Sequence, residues 1–303
     1  MIKETTLSSL KEKFSIKVVR DAVIKSAGFL DATYGDGNFV FLNEEKYIPS
    51  LLNNPNISAV FTTDKIAEQI ECDKIGIVVS HNPEKLFFEV HNKLAESGFY
   101  GEDIKNSISR TANIADNVYV APKNVIIGEN VVIEPNVTIL EHVKIGNNCY
   151  IGAGTVLGSR IFKYYRDEYV TIHMNQVGWV DIRDNVEIIS NACIEQAIID
   201  NTIIGENTMV NSLVNVGHGV KIGKGVAIST GSVIAGSTEV GDGVWIGLNA
   251  TIKPKLHIGD KAYICMGAVV SKDVGPGEKV SGNFAVEHAK NMANVKRIAS
   301  TQI

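Results

Sequence analysis

The stretch IGENTMVNSLVNVGHGVKIGKGVAISTGSVIAGSTEVGDGVWI, residues 204–246, places a branched aliphatic residue at every sixth position. A period of six matches neither the 3.6-residue turn of an α-helix nor the two-residue alternation of a strand. It returns each aliphatic side chain to the same interior edge of a turning chain, so that three hexads complete one triangular coil. Glycine, asparagine and aspartate between the aliphatics suit corners that require positive φ. The stretch therefore predicts a parallel β-helix.

The same period extends through most of the chain. Two interruptions break it, an aromatic and charged segment at 159–179 and a short slip at 197–203, and insertions in a solenoid usually loop out on a functional face. The aliphatic positions outside the stretch above are Ile108, Ile114, Val120, Ile127, Ile133, Ile139, Ile145, Ile151, Ile182, Ile188, Ile194, Ile252, Ile258, Ile264 and Val270.

Three regions follow from these patterns, and the fold class is mainly β. Residues 1–105 combine helical spacing with short buried runs such as FVFL and IGIVVS, which predicts a small α/β domain that binds a nucleotide. Residues 106–280 form the β-helix. Residues 281–303 have the spacing of one short amphipathic helix, which we expect to cap the open end of the β-helix.

Composition restricts the partners and the compartment. The 303 residues carry a formal net charge of -5, so there is no general basic field to bind a nucleic acid. No apolar run reaches the length of a membrane span, which predicts no stable membrane insertion. Four separated cysteines and the lack of a signal-length apolar run at the start indicate a reducing, cytoplasmic location. The seven histidines lack the close spacing of a metal site, so no metal is expected.

Several motifs in this order carry a family resemblance. FLNEEKY at 41–47, GTVLGSRIFKYYRDEY at 154–169 and VNVGHGVKIG at 214–223 resemble the UDP-3-O-acylglucosamine N-acyltransferases of lipid A synthesis, members of the hexapeptide-repeat acyltransferases. The resemblance covers nearly the whole chain. It implies a left-handed coil, a homotrimer with active sites in the grooves between subunits, and transfer of an acyl group from a thioester to a sugar amine.

The resemblance also implies roles for single residues. The family's general base falls on His218, and the chemistry requires such a group because a protonated amine cannot attack a thioester. Asn215 and Ser212 precede it where the family uses polar side chains near the reacting groups. The alternative is that His218 is a structural corner residue and that Asn215 and Ser212 simply face solvent.

Three more candidates complete the site. Phe41 and Tyr47 match the aromatic pair that brackets the uracil ring in the family, although Phe41 also fits the core of the α/β domain because FVFL is so apolar. Gly236 is the candidate oxyanion donor through its place in the coil after His218. No cofactor is expected to be tightly bound.

Departures from the family pattern affect the choice of substrate. Lys255 stands near the place of a second histidine, Asn211 replaces an acidic residue, and Glu44 replaces an amide beside the nucleotide. We therefore favour an N-acyltransferase that uses acyl-CoA and a nucleotide-linked amino sugar of a surface glycan. The alternatives are the lipid A enzyme itself, with acyl carrier protein as donor, and a noncatalytic β-helix scaffold.

Overall fold

A computed structural model describes residues 3–11, 13–14, 16–282 and 287–300. It contains an N-terminal α/β unit, a parallel β-helix and a C-terminal helix, so the predicted fold class is confirmed. The left-handed turn of the coil stays a prediction from the family resemblance.

The N-terminal unit is built on a five-stranded mixed sheet with the order β2-β7-β6-β5-β4, in which only β2 is antiparallel to its neighbour. Helix α4 packs on this sheet through the buried rings of Phe87 and Phe88. Strand β1 pairs separately with β3. The strands are β1 (Thr5–Thr6), β2 (Lys17–Arg20), β3 (Val23–Ile24), β4 (Ser26–Ala27), β5 (Asn38–Leu42), β6 (Ile57–Thr62) and β7 (Gly76–Val79). The helices are α1 (Leu7–Leu10), a 3-10 turn (Glu45–Tyr47), α2 (Ile48–Asn53), α3 (Asp64–Ala67) and α4 (Pro83–Glu96).

The β-helix has three parallel sheets, which the chain visits in turn and which we name faces A, B and C. Face A contains Ser107–Ile108, Val125–Ile127, Val143–Ile145, Trp179–Ile182, Asn201–Ile204, Lys221–Ile222, Glu239–Val240 and His257–Ile258. Face B contains Asn113–Ile114, Val132–Ile133, Tyr150–Ile151, Glu187–Ile188, Met209–Val210, Ala227–Ile228, Trp245–Ile246, Tyr263–Ile264 and Lys279–Val280. Face C contains Tyr119–Val120, Thr138–Ile139, Val156–Ser159, Cys193–Glu195, Asn215–Val216, Val233–Ile234, Thr251–Ile252 and Val269–Val270.

The predicted aliphatic ladder forms the core of this β-helix. From Ile127 onward the predicted positions are buried, whereas Ile108 is 42% exposed because no coil lies below it. Corners with positive φ are occupied mainly by asparagine and glycine, as the sequence predicted. The core therefore results from one position repeated in each strand, rather than from contacts between distant segments.

Both interruptions leave the β-helix at the corner between faces C and A, which we call the CA corner. The first folds into an antiparallel hairpin, Tyr164–Arg166 with Thr171–His173, and its Ile161, Tyr165 and Met174 join the hydrophobic core of the α/β unit. The second is a loop between Glu195 and Asn201. The α/β unit is thereby packed against the CA corner of its own chain.

The C-terminal helix spans His288–Ser300, and residues 283–286 and 301–303 of the predicted helical region lie outside the described part of the chain. Its side chains that the structure describes are exposed to solvent. That this helix caps the β-helix stays a prediction.

Candidate active site at the CA corner

The main chain of His218 is fixed by the coil below it. Its N–H donates a hydrogen bond of 3.0 Å to Oε2 of Glu195. The N–H of Gly219, whose φ is +67°, donates to the hydroxyl of Thr202 at 2.9 Å. That hydroxyl donates in turn to the carbonyl oxygen of Glu195 at 2.7 Å. Two successive N–H groups of the turn are thus bound by neighbouring side chains, which fixes the direction in which the histidine leaves the backbone.

The imidazole of His218 lies against Gly236 in the coil above. Strand pairing of Val216 with Ile234 places the two residues directly over one another. A Cβ atom on Gly236 would lie 2.6 Å from Nε2 of His218, so only glycine leaves room for the ring. Within the described residues the N–H of Gly236 donates no hydrogen bond to another protein group. A free backbone donor and a histidine ring therefore adjoin each other.

Burial and two lysines favour the neutral form of His218. Desolvation is the largest cause that lowers the pKa of the imidazole, and the charges of Lys163 and Lys255 lower it further. Lys163 belongs to the inserted segment and places its ammonium 5.5 Å from the ring centroid of Phe29. Lys255 forms an ion pair with Asp31 at 2.5 Å. Both lysines therefore connect the CA corner to the α/β unit, and a neutral imidazole can accept a proton.

Asn215 contacts Glu195 next to His218, whereas Ser212 does not. Asn215 is half-buried on face C, and a hydrogen bond from its side chain lowers the pKa of Glu195. Ser212 lies at the other end of the same strand, in the corner between faces B and C. The face-C strand separates it from His218 within one chain, so its place near the reacting groups stays a prediction.

The two predicted aromatic residues have different environments. Phe41 is partly buried in β5 with its ring centroid 5.2 Å from that of Phe87, so it packs with the core of the α/β unit. Tyr47 is 41% exposed in the 3-10 turn, where the ammonium of Lys46 lies 4.8 Å from its ring centroid. No contact in the described part of the chain joins either ring to His218. A role in binding a base stays a prediction for both and has more support for Tyr47.

Sequence reasoning did not identify Glu195, Thr202 and Lys163. Glu195 gave a signal, because it follows Ile194 at a corner position where the neighbouring coils have alanine or glycine. The six-residue period shifts directly after Glu195. Its contact with His218, 23 residues further along the chain, could therefore not be predicted by counting hexads.

A cavity of about 640 Å³ lies lower on the same side, between the α/β unit and the first coils. His142 lines it, with its ring centroid 5.2 Å from that of Trp179. Nδ1 of His142 is 3.1 Å from Nε2 of Gln196, and burial lowers the pKa of the imidazole. The imidazole of His142 therefore already has a polar partner within the protein. His218 is not among the residues that line the cavity.

Two further observations concern metal binding and membrane spans. Among the described residues, no three His, Cys, Asp or Glu side chains cluster closely enough to hold a metal ion. None of the helices in that same part of the chain is both long and apolar enough to span a membrane.

Comparison with known proteins identifies the repeats. Residues 124–159 and 201–236 match the family model of the bacterial transferase hexapeptide (six repeats). Residues 238–272 match the hexapeptide repeat of succinyl-transferase. The chain therefore carries the hexapeptide repeats of bacterial transferases. No protein of curated function matches it.

Several solved structures to which the chain is similar are UDP-N-acetylglucosamine acyltransferases. The enzyme from Campylobacter jejuni is 23% identical over 64% of this chain and 76% of its own, with a TM-score of 0.48. The enzyme from Bacteroides fragilis 9343 is 26% identical over 65% and 84%, with a TM-score of 0.44. The Arabidopsis enzyme is 21% identical over 64% and 78%, with a TM-score of 0.42.

Proposed function

We propose that this protein is an N-acyltransferase that moves an acyl group from a thioester, with acyl-CoA favoured, to the amine of a nucleotide-linked amino sugar. The observation that carries the proposal is the half-buried His218, whose pKa is lowered by burial and which lies adjacent to the unpaired N–H of Gly236. A base and an oxyanion donor on one rigid corner are what acyl transfer requires. The hexapeptide repeats of bacterial transferases support the same class.

The proposed reaction is direct and sequential. The amine nitrogen attacks the thioester carbonyl carbon while His218 takes a proton from it, and the oxygen that gains charge is stabilised by the N–H of Gly236. Collapse of the tetrahedral intermediate breaks the C–S bond, and the imidazolium returns its proton to the departing thiolate. No covalent acyl-enzyme is needed.

An apolar edge supports assembly as a homotrimer. The corner between faces B and C bears exposed side chains that belong in an interface, among them Leu213, Leu248 and Met266, which are 61%, 50% and 62% exposed. Met209 and Trp245 on face B and Val233 and Val269 on face C extend this apolar edge along the coils. Since the edge runs along the β-helix axis, parallel copies of the chain can cover it, and the family resemblance favours three.

Release of thiol tests the proposal. We would offer acetyl-CoA, hydroxyacyl-CoA and acyl carrier protein thioesters against a panel of nucleotide amino sugars, and identify products by mass spectrometry. We expect release that requires both substrates and that falls by about 10²-fold or more in His218→Ala. His257→Ala is the matched control, because that histidine is exposed on face A, where its Nδ1 pairs with Glu239 at 3.1 Å. Equal rates in wild type and a folded His218→Ala variant would refute the proposal and favour a scaffold.

A further inference from the structure

The carboxylate of Glu195 lies one coil below the base and faces the same corner. It is half-buried at the end of the face-C strand Cys193–Glu195. Its protein contacts are the N–H of His218 at 3.0 Å and the side chain of Asn215. Below it, the face-C strand ends at Ser159, where the inserted hairpin leaves the β-helix. A charged side chain thus occupies a position that the adjacent coils fill with Gly158 and Gly217.

No cation in the described part of the chain compensates this charge. Among the described residues no Lys, Arg or His forms an ion pair with Glu195, and the two lysines that lower the pKa of His218 are not among the groups that lower that of Glu195. Desolvation is the largest influence on the pKa of Glu195 and raises it, while the hydrogen bonds from His218 and Asn215 act in the opposite direction. A carboxylate that has lost water without gaining a cation is stabilised when a ligand supplies one.

The proton balance of amide formation also calls for a second group. At neutral pH an ammonium and a thioester give an amide, a thiol and one free proton, so two protons leave the nitrogen. His218 passes one of them to the thiolate. The other must leave before attack, and a carboxylate beside the base can bind the ammonium and pass that proton to water.

We propose that Glu195 binds the ammonium group of the acceptor sugar and so selects an amine over a hydroxyl at the carbon that is acylated. The inference rests on the proposed function, which it narrows from acyl transfer in general to transfer onto a protonated amine. A hydroxyl acceptor carries no charge and needs no carboxylate at this place. Glu195 is therefore a specificity-determining residue as well as a support for the turn.

The substitution Glu195→Gln separates these two roles. The glutamine amide oxygen still accepts the hydrogen bond from the N–H of His218, so the turn is retained while the charge is removed. Binding to the intact chain would be measured by calorimetry at pH 7 with UDP-glucosamine and with UDP-glucose, which differ only in an amine and a hydroxyl. We expect the wild type to prefer the amine by about 10-fold or more, as for a charge-assisted hydrogen bond. The preference should vanish in Glu195→Gln through weaker binding of the amine alone.

Thr202→Val provides the matched control. It removes the acceptor for the N–H of Gly219 in the same turn without altering charge or side-chain shape. We expect it to weaken both ligands equally and to leave their ratio unchanged. A Glu195→Gln variant that keeps the wild-type ratio would reduce Glu195 to a support for the turn and overturn the inference.

The same experiment distinguishes failure of the inference from failure of the proposed function. A wild type that transfers acyl groups but binds both nucleotide sugars equally refutes the role of Glu195 alone. If the protein prefers the amine yet releases no thiol from any donor, the acyltransferase proposal fails and the assignment of Glu195 holds. Binding of neither nucleotide sugar, together with no thiol release on any sugar of the panel, contradicts both.

Discussion

Replacement of Gly236 by alanine tests whether the imidazole works in the position that the structure gives it. The new Cβ would lie 2.6, 2.8 and 2.9 Å from Nε2, Cε1 and Cδ2 of His218. Ordinary contact requires about 3.5 Å, so the ring must move by roughly 1 Å. A displacement of that size at a reacting group costs about 10²-fold in rate. We therefore expect kcat to fall by about 10²-fold in Gly236→Ala.

The fold should tolerate this change. Gly236 is not among the residues with positive φ, so alanine fits the backbone. Thiol release measures kcat, and thermal melting with light scattering measures fold and assembly. The control is Gly101→Ala, where an added Cβ meets no atom within 4 Å. A folded Gly236→Ala protein with turnover within about twofold of wild type would show that catalysis does not depend on this placement of His218.

Three further predictions concern pH and assembly. Lys255→Met removes a charge that lowers the pKa of His218, so the pKa should rise and the acid limb of the rate profile should move to higher pH; an unmoved limb contradicts a His218 base. Burial lowers the pKa of His91 to about 4, so the unfolded chain binds the proton more readily and stability, complete above about pH 6.5, declines as pH falls toward 4. Urea unfolding should show a loss of about 2 kcal/mol between pH 7 and pH 5 that is absent in His91→Gln, and equal losses in both proteins would exclude this origin. Leu248→Asp puts a carboxylate on the apolar edge of each copy and should give monomers by light scattering, whereas an unchanged trimer mass would place the interface elsewhere.

The repeat could be predicted from the sequence because every coil places aliphatic residues at the same interior positions. Ile204, Val210 and Val216 occupy one interior position on three successive faces, and a single chain segment shows the period without knowledge of any distant contact. Strand pairs in the structure follow from that period. This is why the aliphatic positions of the core were predicted residue by residue from Ile127 onward.

The site was predicted only in part because its contacts cross breaks in the period. His218 and Gly236 are 18 residues apart within regular coils, so their proximity followed from counting. Glu195 and His218 are separated by the slip, and Lys255 meets Asp31 across 224 residues and two structural units. No local pattern encodes such pairs, since they depend on how the α/β unit packs on the corner.

Phe41 shows a different limit. Both faces of β5 are covered, one by the cluster that contains Phe87 of α4 and the other by the cluster that contains Leu51 of α2, so alternation cannot distinguish a core ring from a binding ring. Tyr47 lies outside the sheet in a short exposed turn, where an aromatic residue has no packing role to explain it.

The stacking of coils at the CA corner limits where coils can be gained or lost as such proteins evolve. Glu195, His218 and Gly236 stand on three successive coils, and the distance between adjacent coils is held at about 4.8 Å by the hydrogen bonds of the parallel sheets. A gain or loss of whole coils near either end of the β-helix would alter the length of the molecule and leave the spacing of these three residues unchanged. One additional coil between Glu195 and Gly236 would separate the carboxylate from the oxyanion donor by a further 4.8 Å or so. The number of coils in the β-helix can therefore vary, whereas the order of the three coils that carry Glu195, His218 and Gly236 cannot.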